Sequence, residues 1–224
     1  GVKVLFSLLL KIYSNENEGK TWAYDPNTQS PTIASSEQSS IVKGAFSNPS
    51  GVRGHQCPSA DRYNTTATNA MTFYATNIMP QNWDFNGGSW VKLETKMRDW
   101  APLVSTRIRY DTLFVVTGTH FDGTLSTDRD GKKVGYPDKC WKVLLQQKSN
   151  QNKQIWECGA DELKAVGFIF PNSSVAKDMR LSAAACTVEY LEEQTGFKFF
   201  QNLDPDVADA VKKQKNIADW PGIY

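Results

Sequence analysis

The stretch that decides the fold runs from residue 53 to residue 98 and reads RGHQCPSADRYNTTATNAMTFYATNIMPQNWDFNGGSWVKLETKMR. Near its end, Trp90, Leu93 and Met97 recur at the spacing i, i+3 and i+7, which places them on one face of a helix. We expect this helix from about residue 89 to residue 100. Upstream, the β-formers of TFYATNI predict a strand, and the turn-forming residues of MPQNWDFNGG predict the loop that joins the strand to the helix.

The polar residues of this helix divide between two of its faces. Glu94 and Arg98 lie one turn apart on the flank of the apolar stripe, where we expect them to look into a cleft at the edge of the core. Lys92 and Lys96 fall on the far face, and we expect both to be solvated.

Outside this stretch, the sequence predicts a strand near the N-terminus, and strands followed by helices after residue 98. We expect residues 2 to 13 to form a strand rather than a signal peptide, because the apolar run is short and no small-residue cleavage site follows it. Residues 14 to 52 are rich in Asn, Ser, Gly, Pro and Thr and are expected to be irregular. Further strands are expected at residues 111–118, 140–145 and 164–170, and helices at 185–195 and 204–214.

Two residues mark the ends of the last helices. Gly196 is expected to end the first of them, and Pro205 is expected to lie near the start of the second. The predicted fold is a single α+β domain over residues 1–224, with a mainly antiparallel central sheet flanked by helices.

The composition excludes some classes of protein and leaves others open. The chain has 224 residues, of which 40% are hydrophobic, so it is globular rather than disordered. The formal net charge is only +1, which argues mildly against a nucleic-acid-binding protein with a large basic excess. A local basic cleft would still serve, because phosphate contacts act at close range. Basic residues do gather in the middle of the chain, at Lys92, Lys96, Arg98, Arg107 and Arg109.

The cysteines and the hydropathy pattern narrow the choice further. None of the four cysteines forms a C-x-x-C pair, so a zinc site is not expected. Two disulfides and four free thiols both remain open. No apolar stretch approaches the ~18 residues that a membrane-spanning helix needs.

Hydrolysis of a phosphodiester needs a base for the attacking water and positive charge near the phosphate and the leaving oxygen. Only two histidines are present, and His55 follows a glycine and an arginine, Arg53, that can reach a phosphate oxygen. Asn86 offers an amide oxygen to a hard cation such as Mg²⁺, and Glu94 can hydrogen-bond waters around that ion.

Each of these residues also has a plain structural alternative. His55 can be a histidine at the end of a strand, and Asn86 can be a helix N-cap. Glu94 and Arg98 can form an i,i+4 pair worth only about 0.3–0.5 kcal/mol. The second histidine, His120, lies in the turn sequence TGTHFDG and is expected to be structural.

Three segments in order, RGHQCPSADR, TFYATNIMPQ and FNGGSWVKLETKMR, resemble the motif blocks of the DNA/RNA non-specific endonucleases, the ββα-metal nucleases with a D-R-G-H signature. LFVVTGTHFDG, AVGFIFPN and VEYLEEQTGFKFF resemble later parts of the same family, so the likeness runs from about residue 22 to residue 202. One position departs from the signature, because Val52 stands where the family has the aspartate.

The resemblance implies a role for each candidate residue. His55 would be the general base and Asn86 the single direct ligand of Mg²⁺, for which Mn²⁺ or another divalent ion can substitute. Glu94 would orient metal-bound waters, and Asn77 would steady the geometry of the histidine and the metal. The residues that would bind or neutralise the substrate phosphate are Arg53, Arg98 and, by a weak match, Lys20.

The sequence therefore predicts a magnesium-dependent, sugar-non-specific endonuclease that cuts DNA and RNA within the strand. Two alternatives remain: a nucleic-acid-binding protein of the same fold whose catalysis is impaired by Val52, and a phosphodiesterase that acts on a smaller substrate. Because such a nuclease would be toxic in its own cytoplasm, we expect it to be secreted or periplasmic. No motif indicates an inhibitor protein or an oligomeric state.

Overall fold

A computed structural model describes residues 8–9, 22–26, 33–63, 65–101, 112–149 and 153–224, and for residues 8–9 it describes the backbone alone. The centre of the fold is a five-stranded sheet made of β1 (Leu8–Leu9), β4 (Phe114–His120), β7 (Lys139–Gln147), β8 (Leu163–Pro171) and β9 (Ala185–Cys186). The strands lie in the order β1-β4-β7-β8-β9, and every neighbouring pair is antiparallel.

Side chains alternate across β7, and both faces of the sheet are covered, so this strand is buried almost throughout. Leu144 points to one face and packs with Leu93 and Met97, whereas Val143 points to the other and packs with Leu191 and Val211. The sheet therefore separates two hydrophobic clusters, as expected for helices packed on both sides of a sheet.

The stretch quoted at the outset covers the first of these faces. Strands β2 (Val52–His55) and β3 (Ile78–Gln81) form an antiparallel pair in which His55 lies opposite Ile78. After β3 come a single helical turn, α3 (Trp83–Phe85), a π-helical turn at Asn86–Trp90 and the helix α4 (Val91–Trp100). The expected apolar stripe is confirmed, because Trp90, Leu93 and Met97 are all buried in the first cluster.

The remaining elements lie around this framework. A small antiparallel pair, β5 (Leu125–Thr127) and β6 (Lys133–Gly135), connects β4 to β7. The other helices are α1 (Ser35–Lys43), α2 (Thr66–Met71), α5 (Leu181–Ala184), α6 (Val188–Thr195) and α7 (Pro205–Lys212). None of the helices in the described ranges is long and apolar enough to cross a membrane.

Both expected helix ends are confirmed. Gly196 follows α6 with a φ of 71°, the left-handed conformation that glycine adopts without a steric penalty. Pro205 opens α7, and the Asp204 side chain caps it by accepting from the backbone nitrogens of Asp206 and Val207. The predicted α+β class with a mainly antiparallel sheet is likewise confirmed.

Two sequence-based expectations differ from the structure. The region expected to be irregular, 14–52, contains α1, whose start is stabilised by a hydrogen bond from the backbone nitrogen of Ala34 to the Glu37 side chain. The strand expected at TFYATNI begins only at Ile78, because Thr72 and Asn77 hold the residues between them in turns. Of the strand expected at residues 2–13, only β1 lies within the described residues.

Candidate active site

Strand β2 brings an arginine and the candidate base to the same place. Side chains two residues apart on a strand point to the same side, so Arg53 and His55 share a face. Both contact the ring of Trp22: the His55 ring centroid lies 5.2 Å from it, and Arg53 Cζ lies 4.3 Å above it. Trp22 therefore fixes the separation of the guanidinium and the imidazole.

His55 is packed among aromatic rings, which determines its protonation state. Its ring lies 5.0 Å from that of Phe73 in an edge-to-face contact, in addition to the contact with Trp22. Burial lowers the pKa of His55 from 6.5 to about 4, so the imidazole is neutral at pH 7. Its Nε2 is buried and has no hydrogen-bond partner among the described residues, as expected of a group that bonds to something outside the chain.

The backbone after His55 is clamped by Asn77. Asn77 Oδ1 accepts from the backbone nitrogen of Cys57 at 2.9 Å, and its Nδ2 donates to the Cys57 carbonyl at 2.9 Å and to the Thr72 carbonyl at 2.8 Å. Its own carbonyl accepts from the nitrogen of Gln56 at 2.8 Å. Asn77 thus holds the segment that carries the histidine through backbone contacts.

Asn86 is oriented by a chain of contacts that begins at Gly54. A Cβ atom at Gly54 would lie 1.9 Å from Gln81 Oε1, so only glycine leaves room for the Gln81 side chain to lie against β2. Gln81 is fully buried, and its Oε1 accepts a hydrogen bond of 2.6 Å from Asn86 Nδ2. Because the amide nitrogen is bound there, Asn86 Oδ1 points away from Gln81 and is the atom able to ligate a cation.

The helix N-cap is a different asparagine. Asn82 Oδ1 accepts from the backbone nitrogens of Asp84 and Phe85 at 3.0 and 3.2 Å, whereas Asn86 lies inside the first turns with helical dihedral angles. The N-cap alternative for Asn86 is therefore wrong. Asn172, at the end of the sheet, accepts from the backbone nitrogen of Asn82 at 2.8 Å and so ties this turn to the core.

Helix α4 carries a carboxyl group in a low-dielectric position. Burial raises the pKa of Glu94 to about 7, and the neighbouring Lys142 and Arg98 oppose the rise. Arg98 does not pair with Glu94. Its Nη1 donates to Asp61 Oδ1 at 3.1 Å, and its Nη2 donates to Thr95 Oγ1 at 3.1 Å. The i,i+4 alternative is wrong, because the buried Asp61 carboxylate takes the place of Glu94.

Arg53 is held at the end of α1 as well as by Trp22. Its Nη1 donates to the Val42 carbonyl at 2.6 Å, and the guanidinium packs against Gly44, whose added Cβ would lie 3.0 Å from Arg53 Nε. Burial is the main cause that lowers the pKa of Arg53, and the nearby Arg129 adds to it. With one nitrogen bound to a carbonyl, the fork keeps further N–H groups for a phosphate.

The other candidate residues lie elsewhere or outside the described part. Lys20, Arg107 and Arg109 lie outside the described residues. His120 Nδ1 lies 2.6 Å from Asp138 Oδ1 at the end of the central sheet, in keeping with the structural reading of this histidine. Val52 pairs with Gln81 in the strand register.

The four cysteines are free thiols, so the disulfide alternative is wrong. On the far face of α4, Lys92 and Lys96 form exposed ion pairs with Asp178 and Asp99, which confirms that these lysines are solvated.

Three buried polar residues of this site are not predicted from the sequence. They are Gln81, Asp61 and Lys142. The lysine alone carried a signal, because it interrupts the apolar strand sequence CWKVLL. Asp61 binds Arg98, 37 residues along the chain, and Lys142 binds the Gln56 carbonyl, 86 residues along the chain. Local sequence patterns do not predict contacts at such separations.

The donor set fits a cation with few protein ligands. Within the described ranges, no group of three or more His, Cys, Asp or Glu side chains is arranged to hold a metal ion. The oriented Asn86 oxygen is a hard ligand of the kind that Mg²⁺ accepts while it keeps most of its waters. A neutral imidazole, an amide oxygen and two guanidinium groups together suit chemistry at a phosphate.

Comparison with known proteins identifies the family. The family model for DNA/RNA non-specific endonuclease matches residues 10–206. The mitochondrial nuclease EXOG of Xenopus laevis is 32% identical over 164 residues, which is 69% of this chain and 42% of that protein. A nuclease of Nostoc sp. is 31% identical over 175 residues, 78% of this chain and 59% of that protein. The chain thus spans about half the length of the curated relatives it matches.

A solved structure shares the fold. A chain of the EndoG/EndoGI complex superposes with a TM-score of 0.52 at 21% identity, over 70% of this chain and 62% of that chain.

The comparisons also correct one expectation. The predicted secreted or periplasmic location is wrong, because relatives from vertebrates and two yeasts are mitochondrial nucleases. The family match agrees with the motif blocks, the ββα arrangement and the fold. This chain belongs to the DNA/RNA non-specific endonuclease family.

Proposed function

We propose that this chain is a divalent-metal-dependent, sugar-non-specific endonuclease that hydrolyses phosphodiester bonds within DNA and RNA strands, with Mg²⁺ as its ion and Mn²⁺ as a substitute. One observation carries the proposal. The Asn86 amide, oriented by Gln81 across Gly54, is linked to the strand that ends in the neutral His55. Membership of the nuclease family supports the reaction class. The chain is proposed to work as one domain.

His55 would act as the general base. It accepts a proton from the attacking water, a task that requires the neutral imidazole kept by burial among Trp22 and Phe73. Asn77 would support this task by clamping the backbone of Cys57, so that the ring keeps its place.

Asn86 Oδ1 would hold the divalent cation. When bound, the cation would supply positive charge to the scissile phosphate and its leaving oxygen. Glu94 would accept hydrogen bonds from water at the site once it is ionised. Burial raises the pKa of Glu94 to about 7, so its carboxyl group is partly ionised at neutral pH, and a nearby cation would favour the charged form.

Arg98 and Arg53 would bind the phosphate through guanidinium N–H groups that their protein partners do not use. Lys20 is proposed as a further phosphate contact. Contacts of this kind read phosphate and sugar rather than base edges, so sequence preference would be low. Val52 lacks the carboxylate of the signature, but Trp22 and the Val42 carbonyl hold Arg53 without it.

The compartment is proposed to be mitochondrial, as the names of the vertebrate and yeast relatives indicate. Four free thiols are compatible with a location that keeps cysteines reduced. Cell fractionation tests this point: enrichment with a mitochondrial marker supports it, and recovery in the culture medium contradicts it.

The test compares the two histidines of the chain. Parent, His55→Ala and His120→Ala proteins are incubated with supercoiled plasmid and with single-stranded RNA, in Mg²⁺ and in EDTA. The parent is expected to cut both substrates in Mg²⁺ alone. His55→Ala is expected to lose a factor of about 10²–10⁴ in rate because the base is gone. His120→Ala is the matched control and is expected to cleave like the parent, because His120 pairs with Asp138 at the end of the central sheet.

Each alternative has its own outcome. Cleavage by His55→Ala at the parent rate contradicts the assignment of the base. A gel shift by the parent without cleavage supports a nucleic-acid-binding protein and contradicts the enzyme. Release of a small leaving group from a model phosphodiester, with the plasmid intact, supports a phosphodiesterase of smaller substrates and contradicts the endonuclease.

A further inference from the structure

A lysine is completely buried under the active-site motif. Lys142 lies in the middle of β7, between Cys140 and Leu144 on the sheet face that the ββα motif covers, and its side chain is 0% exposed. Burial of an ammonium group is unfavourable unless the group is hydrogen-bonded and compensated by charge. The contacts of the Lys142 ammonium group therefore explain why a charged residue lies in the core.

The ammonium group of Lys142 holds the backbone next to the candidate base. Its Nζ donates to the Gln56 carbonyl at 3.1 Å and to Thr117 Oγ1 at 2.9 Å, and it lies 4.3 Å from the ring centroid of Trp90. The Trp90 indole nitrogen in turn donates to the His55 carbonyl at 3.4 Å. Two consecutive carbonyls, those of His55 and Gln56, are thus bound, one by the turn that precedes α4 and the other by β7.

The same segment is also bound by Asn77, which accepts from the nitrogens of Gln56 and Cys57. The backbone around the candidate base is therefore held both at its carbonyls and at its nitrogens. A segment held by several hydrogen bonds keeps its side chain in one orientation more tightly than a segment held by few.

Carboxylates compensate the buried charge. Asp61 is fully buried, binds Arg98 with Oδ1, and has no partner for Oδ2 among the described residues. Asp61 and Lys142 line one small cavity of about 10 Å³, about the room that a single water needs. Burial lowers the pKa of Lys142, whereas Glu94 and Asp61 raise it. Asp61 therefore compensates the charge of Lys142 and also binds Arg98.

We propose that Lys142 is a positioning residue of the reaction, which fixes the His55–Gln56 backbone against β7 and the turn that precedes α4, so that the imidazole keeps its place in the site. The inference rests on the proposed role of His55 as the base. Because its side chain is fully buried, Lys142 would not bind the substrate itself. It acts through the Gln56 carbonyl, Trp90 and the buried carboxylates.

The chain offers a matched control on the neighbouring strand. Lys164 of β8 donates to the Asp219 carbonyl at 2.9 Å and lies 4.5 Å from the ring centroid of Trp220. It therefore combines the same two kinds of contact, a carbonyl and a tryptophan ring, away from His55. Lys164 is only partly buried whereas Lys142 is fully buried, so kcat is compared at a temperature where both variants are folded, and a loss of stability alone would then leave kcat unchanged in both.

The experiment measures kcat and KM for a fluorogenic oligonucleotide, the melting temperature and the ring ¹⁵N–¹H resonances of the two histidines, at a temperature where every variant is folded. For Lys142→Met we expect kcat to fall by about 100-fold, as for a base displaced by about 1 Å, with KM within about threefold. The His55 resonances should shift while those of His120 stay. Lys164→Met should leave kcat and the His55 resonances unchanged.

Two results overturn the proposal: a kcat of Lys142→Met within about threefold of that of Lys164→Met, or unshifted His55 resonances. If Lys142→Met does not fold, the same criteria apply to Lys142→Gln, which keeps a polar group but removes the charge and shortens the reach. Failure of the proposed function looks different, because it appears as undiminished cleavage by His55→Ala. The resonance comparison then still decides whether Lys142 positions the imidazole.

Discussion

Replacement of Gly54 by alanine is the sharpest perturbation that the active site offers. The added methyl group would lie 1.9 Å from Gln81 Oε1, 2.4 Å from its Cδ and 2.6 Å from its Cγ. Ordinary contacts between such atoms need more than 3 Å, so the Gln81 amide must move by about 1 Å or more. This amide is buried and bound at both ends, to Asn86 and to Cys140, so it has no room to move without losing a bond.

The size of the effect follows from those contacts. Overpacking of a filled site costs about 1–3 kcal/mol, which should appear as a lower free energy of unfolding. Loss of the bond between Gln81 and Asn86 frees the ligand oxygen to turn, and lost support of a metal ligand weakens binding by about 10–100-fold. We therefore expect the Mg²⁺ midpoint of plasmid cleavage to rise by that factor in Gly54→Ala.

The assay is a Mg²⁺ titration of cleavage together with urea unfolding, and Gly87→Ala is the control. Gly87 directly follows Asn86, and a Cβ atom there would meet no atom within 4 Å. Gly87→Ala should keep the parent midpoint. Equal Mg²⁺ midpoints for Gly54→Ala and Gly87→Ala would show that Gln81 does not orient the Asn86 ligand.

Three further outcomes are expected. Asn86→Ala should remain folded and raise the Mg²⁺ midpoint by at least about 10-fold, and an unchanged titration would exclude it as the ligand. Asp61→Asn should lower the free energy of unfolding by about 3 kcal/mol, because it leaves Arg98 without its buried charge partner, whereas the exposed control Asp178→Asn should change it by less than about 0.5 kcal/mol. The folded pKa of His55, about 4, lies below its unfolded value of 6.5, so its contribution to stability is complete above pH 6.5 and is lost as the pH falls to 4. Between pH 6.5 and pH 4, the free energy of unfolding measured in urea should fall by up to about 3 kcal/mol more for the parent than for His55→Gln. Parallel pH curves for the two proteins would contradict the buried neutral imidazole.

Local patterns in the sequence predicted the elements whose causes are local. Helix α4 follows from the i, i+3, i+7 spacing of Trp90, Leu93 and Met97, since burial of that stripe is what holds the helix. The ends at Gly196 and Pro205 follow from backbone preferences of single residues.

Helix α1 was missed because it has no apolar stripe. Its buried residues are Gln38 and Ser40, and Gln38 bonds to the backbone of Asp25 and Ile33, contacts that no periodicity reveals.

The candidate site was predicted as a set of residues but not as an arrangement. His55 and Asn86 came from their chemistry and from the resemblance of their motif blocks, whereas the geometry of the site depends on Gln81, Asp61 and Lys142. These three are buried polar residues whose partners belong to other elements of the fold. Only packing of the ββα motif on the sheet brings them together, and packing of that kind leaves no period in the sequence.

We expect the Asn86 oxygen to hold a hydrated divalent ion in the same site as the His55 imidazole. A crystal grown with Mn²⁺ and measured for anomalous scattering locates that ion. The expected peak lies within about 2.5 Å of Asn86 Oδ1, with Asn86 Nδ2 still bound to Gln81 and the imidazole separated from the ion by the width of a phosphate. A Mn²⁺ ion bound by other residues, with Asn86 Oδ1 turned away from it, would exclude Asn86 as the ligand and with it the proposed site.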